Sequence, residues 1–179
     1  NNIEKIYTND PGRYAAAYFK YLDDILQRIN IQEVRDFVEM LLDARERNSM
    51  IFFIGNGGSA STCSHFANDL VIGTKTKQKH FRAVSLTDNN AVITAIGNDF
   101  GYKDVFSRQL RALGKKGDVV VAISASGNSS NLLDAVKVSS AMGIKTVGLT
   151  SFDGGKLKES ADQILHVPSA IGEYGPAED

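Results

Sequence analysis

One cysteine, Cys63, stands in a chain of 179 residues, and a lone thiol excludes an internal disulfide framework and fits a reducing, cytoplasmic compartment. Nowhere does an apolar run approach the roughly 18 residues of a membrane span, and no secretory signal peptide is recognisable. Charge of neither sign is in excess. The formal net charge is −1, so neither nucleic acid nor an anionic membrane surface is favoured as a partner. Proline occurs three times, and no repeat or low-complexity linker divides the chain, which therefore reads as one domain. Lys75, Lys77 and Lys79 form a short basic run that reads as a solvated loop. Cys63 falls inside an apolar-faced helical stretch, where cysteine is more often a small buried hydrophobe than a nucleophile.

What is present is a pattern of alternating elements. Residues 1–48 read as two helices. Tyr14, Tyr18, Tyr21, Ile25 and Ile29 recur at three- and four-residue steps, the spacing of one helical face. Asn30 opens the second helix, with Glu33 three residues later in a capping-box pattern, and Val34, Val38, Leu41 and Leu42 supply its apolar side. This pair precedes the first strand, and its tyrosine-rich face suits packing on another subunit. Over residues 49–179 strands are expected at 50–54, 83–86, 119–123, 146–149 and 164–167. Helical stretches at 59–72, 90–96, 102–113, 130–142 and 154–160 separate them. The alternation predicts an α/β fold, a doubly wound, mainly parallel five-stranded sheet of flavodoxin-like type. The chain starts at Asn1 without methionine and stops at Pro176-Ala177-Glu178-Asp179. Proline followed by acidic residues is how a helix begins, so a further C-terminal helix is expected.

Ligands of such sheets lie beyond the carboxyl ends of the strands, and two loops there carry chemistry. The first strand runs into Gly55-Asn56-Gly57-Gly58-Ser59, whose glycines permit close backbone approach ahead of a helix N-terminus that favours an anion. A plain tight turn is the simpler alternative. Gly55, Gly57 and Ala60 also satisfy a weak dinucleotide fingerprint, with Asp88 after the second strand as a ribose contact. No lysine follows the glycines, so this is not a Walker loop. The third strand runs into Ser124-Ala125-Ser126-Gly127-Asn128-Ser129, a second hydroxyl-rich nest at a helix start. One helix cap needs one such side chain, and here there are four. A dinucleotide has no use for a second cradle at this place, so the pair of loops favours a phosphosugar ligand and no nucleotide cofactor.

These loops, with Gly97-Asn98-Asp99-Phe100-Gly101 and Asp153-Gly154-Gly155-Lys156, fall in the order of the sugar isomerase (SIS) superfamily. From about residue 50 to 179 the chain resembles the bacterial phosphoheptose isomerase family. The resemblance implies an aldose–ketose isomerase of heptose biosynthesis, supplying lipopolysaccharide or capsule precursors. It also implies a homotetramer with sites at subunit interfaces. Asn56, Gly57, Gly58 and Ser59 match the substrate loop. Ser124, Ala125, Ser126 and Ser129 match the phosphate cradle, and Asn98 with Asp99 matches a sugar-hydroxyl contact near a subunit boundary.

His65 and Asp69, four apart and so on one helical face, match a histidine and a glutamate of the family. The glutamate position is the acid/base, which implies catalytic roles for Asp69 and His65. In some members the two positions bind zinc together with a glutamine, matched here by Glu178, and a second histidine that would fall beyond Asp179. Three departures stand out: Asp69 is one methylene shorter than glutamate, Glu178 is charged where the family has an amide, and Ala125 replaces a frequent threonine. A non-catalytic SIS module that binds a phosphosugar or a protein partner, as in replication-initiation regulators of the superfamily, is the alternative function.

Overall fold

Val119–Ser124 (β3) is apolar at almost every position because both of its faces are covered, and it occupies the middle of the sheet. The computed structural model describes residues 2–178, apart from the side chain of Glu178. Around β3 lie Met50–Gly55 (β1), Arg82–Ser85 (β2), Lys145–Ser151 (β4) and Gln163–Val167 (β5), in the order β2-β1-β3-β4-β5. All four pairings are parallel, with Gly55 beside Ile123 and Ser124 beside Thr150 at the carboxyl ends. The side-chain period of two sends Phe52, Ile54, Val120 and Ala122 to one core, and Ile51, Phe53, Val119, Val121 and Val147 to the other. Burying each large apolar side chain stabilises the fold by about 1.5–3 kcal/mol.

Gly58–Asn68 (α4) covers the second core through Cys63 and Ala67, together with Phe37, Leu41 and Ala44 of Ile31–Glu46 (α3). The other face is covered by Ser107–Leu113 (α6) and Ser130–Ala141 (α7), through Leu110, Leu132, Ala135 and Val136. Gly155–Ser160 (α8) adds Leu157 to the same core. Burial pushes the Cys63 thiol up to about 12, and the Asp88 carboxylate adds to the shift; Cys63 is the small hydrophobe its position implied. No helix among the described residues is long and apolar enough to cross a membrane.

Several local expectations change in three dimensions. A short helix, Asn2–Ile6 (α1), precedes the expected pair. Pro11–Leu26 (α2) buries Ile25 but ends before Ile29. In α3 the core side is Phe37, Leu41 and Ala44, while Val38 and Leu42 are exposed, because the sheet lies about one residue's rotation from the stripe read in sequence. The capping box is not formed. Asn30 caps the Gln32 N–H, and the Glu33 carboxylate accepts from the Asn30 side-chain amide at 3.4 Å and from the His166 backbone N–H of β5 at 2.8 Å, the second a long-range partner invisible to a local pattern. The helix expected over 59–72 ends at Asn68 and continues as a π-helical turn, Asp69–Gly73. The stretch 102–113 divides into a 3₁₀ turn, Tyr102–Asp104, and α6. Asn90–Asp99 (α5) and Tyr174–Glu178 (α9) complete the described chain.

Candidate functional site

The winding of the sheet changes direction between β1 and β3, and a crevice opens at the carboxyl end of such a switch point. The two loops that leave these strands are the glycine loop and the serine loop. In the glycine loop, a Cβ on Gly55 would stand 2.8 Å from the Ser59 backbone oxygen, so only glycine lets the first turn of α4 fold back onto the end of β1. The N-cap residues of α4 and α7, Gly57 and Ser129, make no side-chain cap bond, and in α7 only the Leu132 N–H is taken, by Asn131, whereas Asp10, Asn30 and Asn89 cap α2, α3 and α5. Uncapped N–H groups carry a partial positive charge that favours an anion, and here two such termini open on one crevice.

Asn56, Ser59, Ser124, Ala125, Ser126 and Ser129 line a hollow of about 210 Å³, closed on one side by Tyr174 of α9. Ser59 and Ala125 also line a neighbouring, more apolar cavity of about 180 Å³, which extends past Thr62 and Phe66 to Leu149, Leu165 and Ala177. Thr62 and Phe66 in turn border a third hollow, of about 400 Å³, that holds His65 and Asp69. The three follow one another along α4. From Ser59 to His65 the helix rises roughly 9 Å, so the serine loop and Asp69 are joined by a continuous surface.

At the far end the His65 Nε2 lies 3.0 Å from the Asp69 Oδ2, both side chains more than half exposed. Asp69 begins the π-helical turn, and a Cβ on Gly73 would come within 3.2 Å of its Oδ1; π turns are frequent at functional sites. At the near end Ser124 is buried and its Oγ accepts from the Gly127 N–H at 3.1 Å, so it shapes the nest. The nest is fastened from behind: Ser151 donates its N–H to the Ala125 carbonyl at 3.0 Å and Leu157 to that of Gly127 at 2.9 Å.

Asn56 is placed differently from a free ligand group. Its amide pairs reciprocally with that of Asn131, buried in the first turn of α7, at 2.9 and 3.0 Å, and its Oδ1 also accepts from the Tyr102 hydroxyl at 2.9 Å. Both Oδ1 acceptor sites and one of two Nδ2 donors are thereby used, leaving one N–H for a ligand. Asn131 thus ties the glycine loop to the helix behind the serine loop. Neither Asn131 nor Tyr102 was identified from sequence, although Asn131 closes the same polar run that begins at Ser124. Asn131→Ala is expected to destabilise the protein by about 1–3 kcal/mol, the loss of a reciprocal pair of hydrogen bonds to the half-buried Asn56 amide. Urea denaturation reads this directly, and an unchanged midpoint would show that the loops do not depend on the pair.

Not every sequence-identified residue reaches the crevice. Asn98 and Asp99 lie exposed at the end of α5, bonded to one another at 2.8 Å, outside all three hollows. The Glu178 side chain is outside the described residues. Among those described, no three His, Cys, Asp or Glu side chains cluster as a metal site would require. Asp88 accepts hydrogen bonds from the Ser64 and Thr87 hydroxyls.

With this geometry in place, comparison with known proteins is specific. A profile of the SIS domain matches residues 17–151. The chain is 44% identical to the phosphoheptose isomerase of Helicobacter pylori strain P12 over 141 residues, 78% of this chain and 73% of that one. It superposes on the phosphoheptose isomerase GmhA of Neisseria gonorrhoeae with a TM-score of 0.85 at 35% identity, covering 94% of this chain and 91% of the other. For the phosphoheptose isomerase of Francisella tularensis the TM-score is 0.84 at 26% identity, with 99% and 91% covered.

Proposed function

The chain belongs to the SIS-domain family and, within it, to the phosphoheptose isomerases, and on that footing we propose that it interconverts sedoheptulose 7-phosphate and D-glycero-D-manno-heptose 7-phosphate. The reaction moves a proton between C1 and C2. A base takes a proton from C1, the C–H electrons form the C1–C2 double bond of a cis-enediol, and the C2 carbonyl oxygen is protonated. Return of a proton to C2, with loss of the C1 hydroxyl proton, completes the aldose. A positioned acid or base contributes about 10²–10⁴-fold to such steps.

The observation that carries this reading is the order of the hollows along α4: a hydroxyl-lined hollow bordered by two uncapped helix termini, then an apolar passage, then the His65–Asp69 pair. We assign the phosphate to Ser124, Ser126 and Ser129 with the free N–H groups of Ser130 and Gly58. Binding energy at this remote anchor orients the reacting carbons. Asp69 is the base at C1, and His65, in hydrogen-bond reach of it, positions its carboxylate. To Asn98 and Asp99, exposed and away from this crevice, we assign contact with a sugar bound at a neighbouring subunit. That assignment accompanies a homotetramer, favoured by the exposed Phe19, Leu26, Ile31 and Val38 of and around α2 and α3. A reducing cytoplasm suits the unpaired Cys63.

Zinc, which the family resemblance raises, would find the His65 Nε2 and Asp69 Oδ2 as donors, with Glu178 as the third residue at issue. Two described donors fall short of the three or four protein ligands of a zinc site, and no step above passes through a metal. The test is direct: incubate the protein with sedoheptulose 7-phosphate and follow the aldose anomeric proton by NMR. Appearance of the aldose is the expected result. Saturable binding without turnover would overturn the isomerase reading and leave a phosphosugar-binding module in its place.

A further inference from the structure

Outside the site, the most deeply buried carboxylate among the described residues is Glu173, which the reaction does not use. Glu173 is 1% exposed, and a carboxylate so placed persists only where donors surround it. Its Oε1 accepts from the backbone N–H groups of Asn2 and, at 3.4 Å, Ile3, the first turn of α1. Its Oε2 accepts from the Tyr21 hydroxyl of α2 and from the Ala170 N–H at 3.3 Å. Asn2 closes the ring by donating its side-chain amide to the Tyr21 oxygen at 3.0 Å. Burial alone would raise the Glu173 carboxyl. The bonds from Tyr21, Asn2, Ala170 and Ile3 outweigh it and hold the group below the ordinary glutamate value. Tyr21 is raised in turn, by burial first and then by Glu173.

The next residues lead back to the crevice. Tyr174 closes the serine-loop hollow and Ala177 lines the apolar passage. Between them a Cβ on Gly175 would stand 3.3 Å from the Tyr18 hydroxyl of α2, so α2 abuts this segment at two successive turns. We propose that Glu173 is a positioning residue for the phosphosugar, its carboxylate latching residues 170–177 to α1 and Tyr21 so that Tyr174 and Ala177 stand as the wall of the crevice. The latch lies behind the wall and touches neither ligand nor reacting atoms.

The kinetic part of the test rests on the isomerase reading above; the exchange part does not. Glu173→Gln turns one acceptor oxygen into a donor facing donors, and Tyr21→Phe removes one hydroxyl while keeping the ring. Each variant is expected to raise amide hydrogen exchange of residues 170–177 at least tenfold. Each should also raise KM for the sugar phosphate, about tenfold for Glu173→Gln and about threefold for Tyr21→Phe, with kcat within twofold. The double variant should be no worse than Glu173→Gln alone, because Tyr21 acts on the segment through Glu173. Unchanged exchange at 170–177 in both variants would overturn the latch, as would a fall in kcat at constant KM. Should the wild type turn over no heptose phosphate, the reaction assigned above fails while exchange still decides the latch.

Discussion

Asp69→Ala is expected to lower kcat for sedoheptulose 7-phosphate by about 10²–10⁴-fold, the usual contribution of a general base, and to leave KM within a few-fold of wild type. The two halves of that expectation come from the layout of the crevice. The serine loop and the Asp69 carboxylate sit in separate hollows joined by the passage between Ser59 and Phe66. Removing a group at one end leaves the anchor at the other intact, and a change in kcat alone is the signature of an interaction made only in the transition state. Asp69→Asn keeps the volume but abolishes the base, so it should match the alanine variant. Asp69→Glu supplies the family's residue on a backbone that has a π-helical turn at this point. It moves the carboxylate outward by a bond length, on the order of the 1 Å displacement that costs about a hundredfold in rate. Steady-state kinetics of the three variants decide the matter, and wild-type kcat in Asp69→Ala would remove Asp69 from the chemistry.

The second large effect concerns Gly127. It holds a φ of +62°, and a Cβ there would lie 1.9 Å from the Gly154 carbonyl oxygen and 2.7 Å from its carbon. Neither is the tip of a flexible side chain. The serine loop and the start of α8 are packed backbone against backbone, so an added methyl has to separate them. Gly127→Ala therefore combines a left-handed conformation, costing about 1–3 kcal/mol, with overpacking of similar size, for an expected total of about 2–6 kcal/mol in urea denaturation. The bonds from Leu157 and Ser151 that fasten the loop would be strained together, and affinity for inorganic phosphate should fall at least tenfold by calorimetry. A stable Gly127→Ala protein that binds phosphate normally would mean that the loop is not held by this contact.

How much of this was legible in the sequence depends on the range of the interaction. The strands were readable because a fully buried parallel strand such as 119–123 is a continuous apolar run, and the parallel order followed from alternation. The two loops were readable because glycine and serine at strand ends have few other uses. Long-range pairing was not. Glu33 shows the pattern of a capping box and bonds to His166 instead; Asn56 reads as a ligand group and is largely consumed by Asn131 and Tyr102. The stripe of α3 was off by a residue because periodicity gives a helix face without saying where the sheet lies. Glu173 gave no signal at all, since its partners are up to 171 residues away.

That last separation has a consequence for how the chain is made. Synthesis runs from the N-terminus, and domains begin to organise as they emerge. Residues 2–6 leave the ribosome well ahead of the carboxylate that receives their N–H groups, which lies 171 residues downstream of Asn2. In the interval α1 leans on α2 without the Glu173 carboxylate, and a five-residue helix is far too short to persist unaided in water. Closing so long a loop carries a high entropic cost, one that the finished sheet has by then largely met by bringing the two ends together. α1 thus settles only once Glu173 has been made, and the wall of the crevice settles with it.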